Sequence, residues 1–92
     1  MGRVARHIAV YPSIARAAVL MEAGEPKAGL AALDELPHPG VTTYQPYWTV
    51  RGHLLRALGR EDKAGAAFLT AAGLTQDSAV RSYLFSAAAT KR

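Results

Sequence analysis

The sequence predicts an all-α domain made of two helical hairpins and a closing helix. Three observations carry that expectation. Apolar residues recur at three- and four-residue spacing through most of the chain. Glycines and prolines cut this periodicity into pieces of helix length. The two halves of the chain also repeat one another along the sequence.

Half of the 92 residues are hydrophobic, which is too many for a disordered chain. Alanine and leucine dominate over the β-branched types, so the apolar content is helical in character. A chain of this length holds one domain with a modest core.

The first hairpin is expected over about 12–36. Pro12-Ser13 opens its first helix, which passes through Ile14, Ala17, Ala18 and Met21 and stops at Gly24. Residues 2–10 add at most a short separate helix through Val4 and Ile8. Pro26 suits the first turn of the next helix, where its missing N–H costs nothing. Leu30, Leu33 and Leu36 follow at helical spacing, and Pro37-His38-Pro39-Gly40 begins a loop running to Thr43.

The second hairpin is expected over about 45–74. Its first helix starts near Tyr44 to Tyr47 and carries Trp48, Leu54, Leu55 and Leu58 up to Gly59. Its second opens on Glu61-Asp62, acids suited to the positive end of the helix dipole, and lines up Ala64, Ala67, Phe68 and Ala71. After an N-cap at Asp77 or Ser78, a last helix over about 78–90 places Val80, Tyr83, Leu84 and Ala87 on one buried stripe.

The internal repeat pairs Arg16 with Arg51, Leu20 with Leu55 and Gly24 with Gly59 at a shift of 35. One residue later in phase, Lys27-Ala28-Gly29 pairs with Lys63-Ala64-Gly65. A helix–turn–helix unit of about 34 residues is the tetratricopeptide period. In the second copy Trp48, Gly52, Leu55, Ala64, Phe68 and Ala71 fill the positions of that pattern, while Arg51 stands where it has Leu and no Pro follows Ala71. The resemblance implies two tetratricopeptide-like hairpins plus a C-terminal capping helix, a fragment of a right-handed α-solenoid.

A narrower resemblance runs from Ile14 onward. Ala15-Arg16-Ala17-Ala18-Val19 is followed by Ala28-Gly29-Leu30-Ala31-Ala32-Leu33-Asp34, and then by Tyr44-Gln45-Pro46-Tyr47-Trp48. The run from Arg51 to Arg60, Gly73-Leu74-Thr75, Val80-Arg81 and Leu84 complete the order. Together they resemble the C-terminal helical extension of a bacterial family of extracytoplasmic-function sigma factors. In that family a tetratricopeptide-like domain follows two promoter-reading sigma regions. Ala15 stands where the family has Asn, and no part of this chain resembles the sigma regions. The resemblance implies regulation of a sigma factor, with sigma regions or RNA polymerase as partners, and not promoter recognition.

The residues themselves argue against catalysis. There is no Cys, and His7, His38 and His53 fall in three different elements, so neither a metal site nor a cofactor is expected. No Ser has a His partner in a recognisable arrangement, and the glycines are too scattered to cradle phosphate. The net charge of +4 owes much to Arg3, Arg6, Lys91 and Arg92 at the ends, while internal cations alternate with acids. That pattern disfavours nucleic-acid binding. No apolar run reaches the ~20 residues of a membrane span, and the start lacks a secretory pattern, so a cytoplasmic protein is expected.

Partner binding is the expected function, with a stand-alone adaptor for a peptide or unrelated protein as the alternative to sigma regulation. Thr49, His53 and Arg56 share one side of a helix and are candidates for a binding groove. Arg16 and Arg51 occupy one register in both copies; each either packs its stem and meets a helix-end carbonyl or Asp34, or anchors a sigma region. Tyr44 and Tyr47 follow a loop and are candidates for interface anchors, whereas Trp48 reads as core. With only two repeats, the outer face of the first hairpin has a thin cover, and a homodimer through the N-terminal third is expected.

Overall fold

The computed structural model describes residues 2–36 and 40–90, with side chains from Pro12 onward. The expectations placed on Pro37, His38 and Pro39, on Lys91 and Arg92, and on the side chains of Arg3, Val4, Arg6, His7 and Ile8 lie outside the described residues. Among the described residues the chain forms five α-helices and no strand: α1 Gly2–Glu22, α2 Pro26–Asp34, α3 Gln45–Ala57, α4 Glu61–Leu74 and α5 Ser78–Ala89. None of these helices is long and apolar enough to cross a membrane.

Helix α1 packs on α2 and α3 on α4, so consecutive helices form two hairpins; α5 then packs on α4. The hairpins meet through contacts of α3 with both α1 and α2. Both α1 and α3 stop by the same device. Gly24 and Gly59 lie at φ +83° and +78°, a region costly for any residue with a Cβ. The Gly24 and Glu25 amides donate to the Met21 and Leu20 carbonyls; those of Gly59 and Arg60 donate to Arg56 and Leu55. This is the Schellman stop, repeated 35 residues apart.

The first helix differs from expectation. It runs through Pro12 without a break, instead of opening there after a separate short helix. Proline removes one backbone donor but has a helical φ, and Pro12 sits on the solvent side, where water can serve the orphaned carbonyl. Helix α2 ends at Asp34, short of the expected Leu36, although Leu36 remains buried just beyond it.

Two apolar clusters fill the interior. Ile14, Ala17, Leu33, Leu36, Val41, Tyr47 and Leu54 form the first. Leu55, Ala64, Ala67, Phe68, Ala71, Ala72 and Leu84 form the second. Leu54 and Leu55, adjacent in α3, therefore serve different clusters, and Leu30 and Trp48 pack against both. Val41, from the segment read as a loop, is buried, and the Thr42 carbonyl accepts the Trp48 indole N–H at 2.9 Å.

Two aromatic assignments change. Tyr47 is 2% exposed and belongs to the core, so it is not an exposed anchor. Tyr83, expected on the buried stripe of α5, is 52% exposed. The stripe that docks α5 is Val80, Leu84, Ala87 and Ala88, which leaves Tyr83 on its flank. The N-cap of α5 is Asp77, whose carboxylate accepts from the Ala79 and Val80 amides.

Helices α3 and α4 pack tightly at Gly52. A Cβ there would lie 2.8–2.9 Å from three atoms of the Phe68 ring, which is itself fully buried. Gly73, on α4, has open space around the same position. Gly52→Ala is therefore expected to destabilise the domain by about 1–3 kcal/mol. Gly73→Ala should be neutral or stabilise it by up to about 1 kcal/mol. Urea unfolding of both variants measures the contrast; equal effects would remove the close packing at Gly52.

Candidate interaction surface

Helix α3 shows three faces, and each meets a different neighbour. Tyr47, Val50 and Leu54 pack into the first cluster. His53 and Arg56 look toward α4 and α5, and Trp48, Arg51 and Leu55 toward the space between α2 and α4. The sequence-level candidates are thus divided among faces rather than gathered at one site.

The face with His53 and Arg56 is occupied by the protein itself. The Arg56 guanidinium lies 5.0 Å above the centroid of the Phe68 ring. Its Nη2 donates to the Ala87 and Thr90 carbonyls at 2.8 and 2.9 Å, and its Nε to Glu61 at 3.2 Å. A cation at the C-terminal end of α5 meets the negative end of the dipole and carbonyls that lack helical donors. The His53 ring stands edge-to-face on Phe68 at 5.0 Å, and its Nε2 shares a 3.2 Å hydrogen bond with the Tyr83 hydroxyl. Thr49 turns its hydroxyl onto its own helix, where Gln45 supplies both a side-chain donor and a backbone acceptor.

Arg51 and Arg16 share a register but not an environment. Arg51 Nη1 donates to Asp34 Oδ1 at 2.8 Å, one of the two arrangements the sequence allowed. Asp34 is largely exposed, so the pair is worth at most ~1 kcal/mol. Arg16 is exposed on α1 and makes no ion pair among the described residues. Arg51 reaches back to Asp34 of the first hairpin, whereas Arg16 lies on the exposed side of α1. Tyr44 caps the start of α3 and packs its ring against the first cluster.

On the third face lies a cleft of about 340 Å3. Leu30, Trp48 and Leu55 contribute apolar wall, Arg51, Arg60 and Lys63 the cations, and Asp34 an acid. Arg60 and Lys63 are exposed and make no ion pair or side-chain hydrogen bond among the described residues. Sequence reading passed over them because both flank Glu61-Asp62 and look like a balanced helix start. Their three-residue spacing at the start of α4, facing Trp48 from the neighbouring helix, was the available signal.

Comparison with family models, with curated proteins and with solved structures finds no match for this chain.

The His53 pKa lies below the usual imidazole value, chiefly because burial disfavours the charged ring and secondarily because Arg56 is a cation beside it. The groups facing it are Arg56 from α3, Phe68 from α4 and Tyr83 from α5. In the unfolded chain the ring takes its proton near pH ~6.5, and in the fold only below that. Between those two values the unfolded state binds more protons, so stability is fully present above pH ~6.5 and declines as pH falls through the window. Urea unfolding at pH 7.5 and pH 5.5 should show this loss, and His53→Gln should reduce it. An identical loss in the variant would assign it to other groups.

Proposed function

We propose that this chain is a protein–protein interaction module that regulates a sigma factor in bacterial transcription initiation, built as a tetratricopeptide-like pair of hairpins within a right-handed solenoid. The supporting observation is the recurrence of hairpin architecture with the period of the sequence repeat. Gly24 and Gly59 stop α1 and α3 by the same hydrogen bonds 35 residues apart. Gly29, which the repeat pairs with Gly65, brings α2 close against Leu54 and Ala17, where a Cβ would lie 2.7 and 2.9 Å away; Gly65 makes an ordinary contact with Ala88. A stack of such hairpins offers side chains from several helices to one partner.

The sigma factor enters through the sequence resemblance, whose most specific run, Tyr44 to Trp48, opens the helix on which both cores depend. Val19, exposed on α1, is an apolar residue available to the homodimer proposed through the first hairpin. The direct test is calorimetric titration of the domain with the sigma regions of a factor from the resembling family. Saturable binding at about micromolar affinity is expected. No binding at that concentration would overturn the sigma reading and leave the stand-alone adaptor.

A further inference from the structure

The cleft between α2 and α4 is distinct from the His53–Arg56 face and carries chemistry of its own. Its charged residues sum to +2, with Arg51, Arg60 and Lys63 against Asp34. Since Arg51 is engaged by Asp34, the charge available to a ligand is that of Arg60 and Lys63. Between these cations and α2 the wall is apolar, formed by Leu30, Trp48 and Leu55. A volume of about 340 Å3 lies at the low end of the range for small-ligand clefts and has room for one or two side chains.

We propose that this cleft binds an acidic segment of a partner protein, seating an apolar side chain against Trp48 while flanking carboxylates pair with Arg60 and Lys63. The proposal rests on the reading of the chain as a protein-interaction module and names the face and the partner chemistry. The combination of features selects the ligand. Arginine and lysine on flexible stems reach carboxylates over the rim, and the partly exposed apolar wall of Leu30 and Trp48 favours an apolar group beside them. A nucleic-acid backbone offers a long run of regularly spaced charge, whereas two uncommitted cations among the described residues line this cleft. The cleft is formed by both hairpins, with Leu30 and Asp34 from the first and Arg60 and Lys63 from the second, so an occupant would clamp their relative position.

The single tryptophan of the chain lines the cleft and reports on it directly. The domain is titrated with the capped peptide Asp-Leu-Glu-Phe-Asp, with its neutral counterpart Asn-Leu-Gln-Phe-Asn, and with oligothymidylate, following Trp48 fluorescence. The acidic peptide should give a saturable change that weakens with salt, with affinity roughly tenfold above that of the neutral peptide. Arg60→Glu with Lys63→Glu should abolish it, and Arg60→Ala with Lys63→Ala, a milder change that keeps the surface uncharged there, should weaken it several-fold. Equal response to both peptides, equal response in the substituted domains, or a stronger response to oligothymidylate would overturn the proposal. The two readings fail separately. Peptide binding without sigma binding removes the sigma partner and keeps the cleft. Undiminished sigma binding by the charge-reversed domain keeps the sigma partner and removes the cleft.

Discussion

The contact between Gly52 and the Phe68 ring sets the geometry of the second hairpin. Because Gly52 has no Cβ, α3 comes close enough for the aromatic ring to lie against its backbone. The ring is fully buried there, and it serves as a platform for two side chains of α3, His53 at its edge and Arg56 above its face. Those two in turn hold α5, His53 through Tyr83 and Arg56 through the carbonyls at the helix end. A residue of any size at position 52 would displace the platform and with it the partners of the last helix.

This arrangement redistributes the charge that is free to bind. Arg56 looks in sequence like a groove residue, yet its guanidinium is divided among two carbonyls, a carboxylate and an aromatic ring. Arg51 is tied to Asp34. Of the cations placed around α3, Arg60 and Lys63 remain uncommitted among the described residues, and they line the cleft beside Trp48. The helix that joins the two cores therefore also separates a structural face from an open one.

Periodicity and punctuation made most of the fold legible in sequence. Gly24 and Gly59 end helices because a left-handed residue is needed there, and that need is visible in one residue type. The α4 stripe of Ala64, Ala67, Phe68 and Ala71 is buried as its spacing implies. Pro12 misled because a proline on a solvent-facing turn costs one hydrogen bond without stopping the helix. Tyr47 and Val41 are buried against Ile14, Ala17 and Leu33 of the first hairpin, a tertiary contact that local pattern does not encode. The α5 partners of His53 and Arg56, Tyr83 and Ala87, lie 30 and 31 residues away, so spacing within α3 identified a shared face but not what covers it.

The most direct measurement is a double-mutant cycle on the α3–α4 contact, comparing the unfolding free energies of Gly52→Ala, Phe68→Leu and the double variant. A methyl at position 52 clashes with the ring, so a smaller side chain at position 68 should relieve part of the strain. The double variant should then be more stable than the sum of the single losses predicts, by about 0.5–3 kcal/mol. Additive losses would show that the two residues do not oppose one another and would contradict the packing on which α5 and the faces of α3 depend.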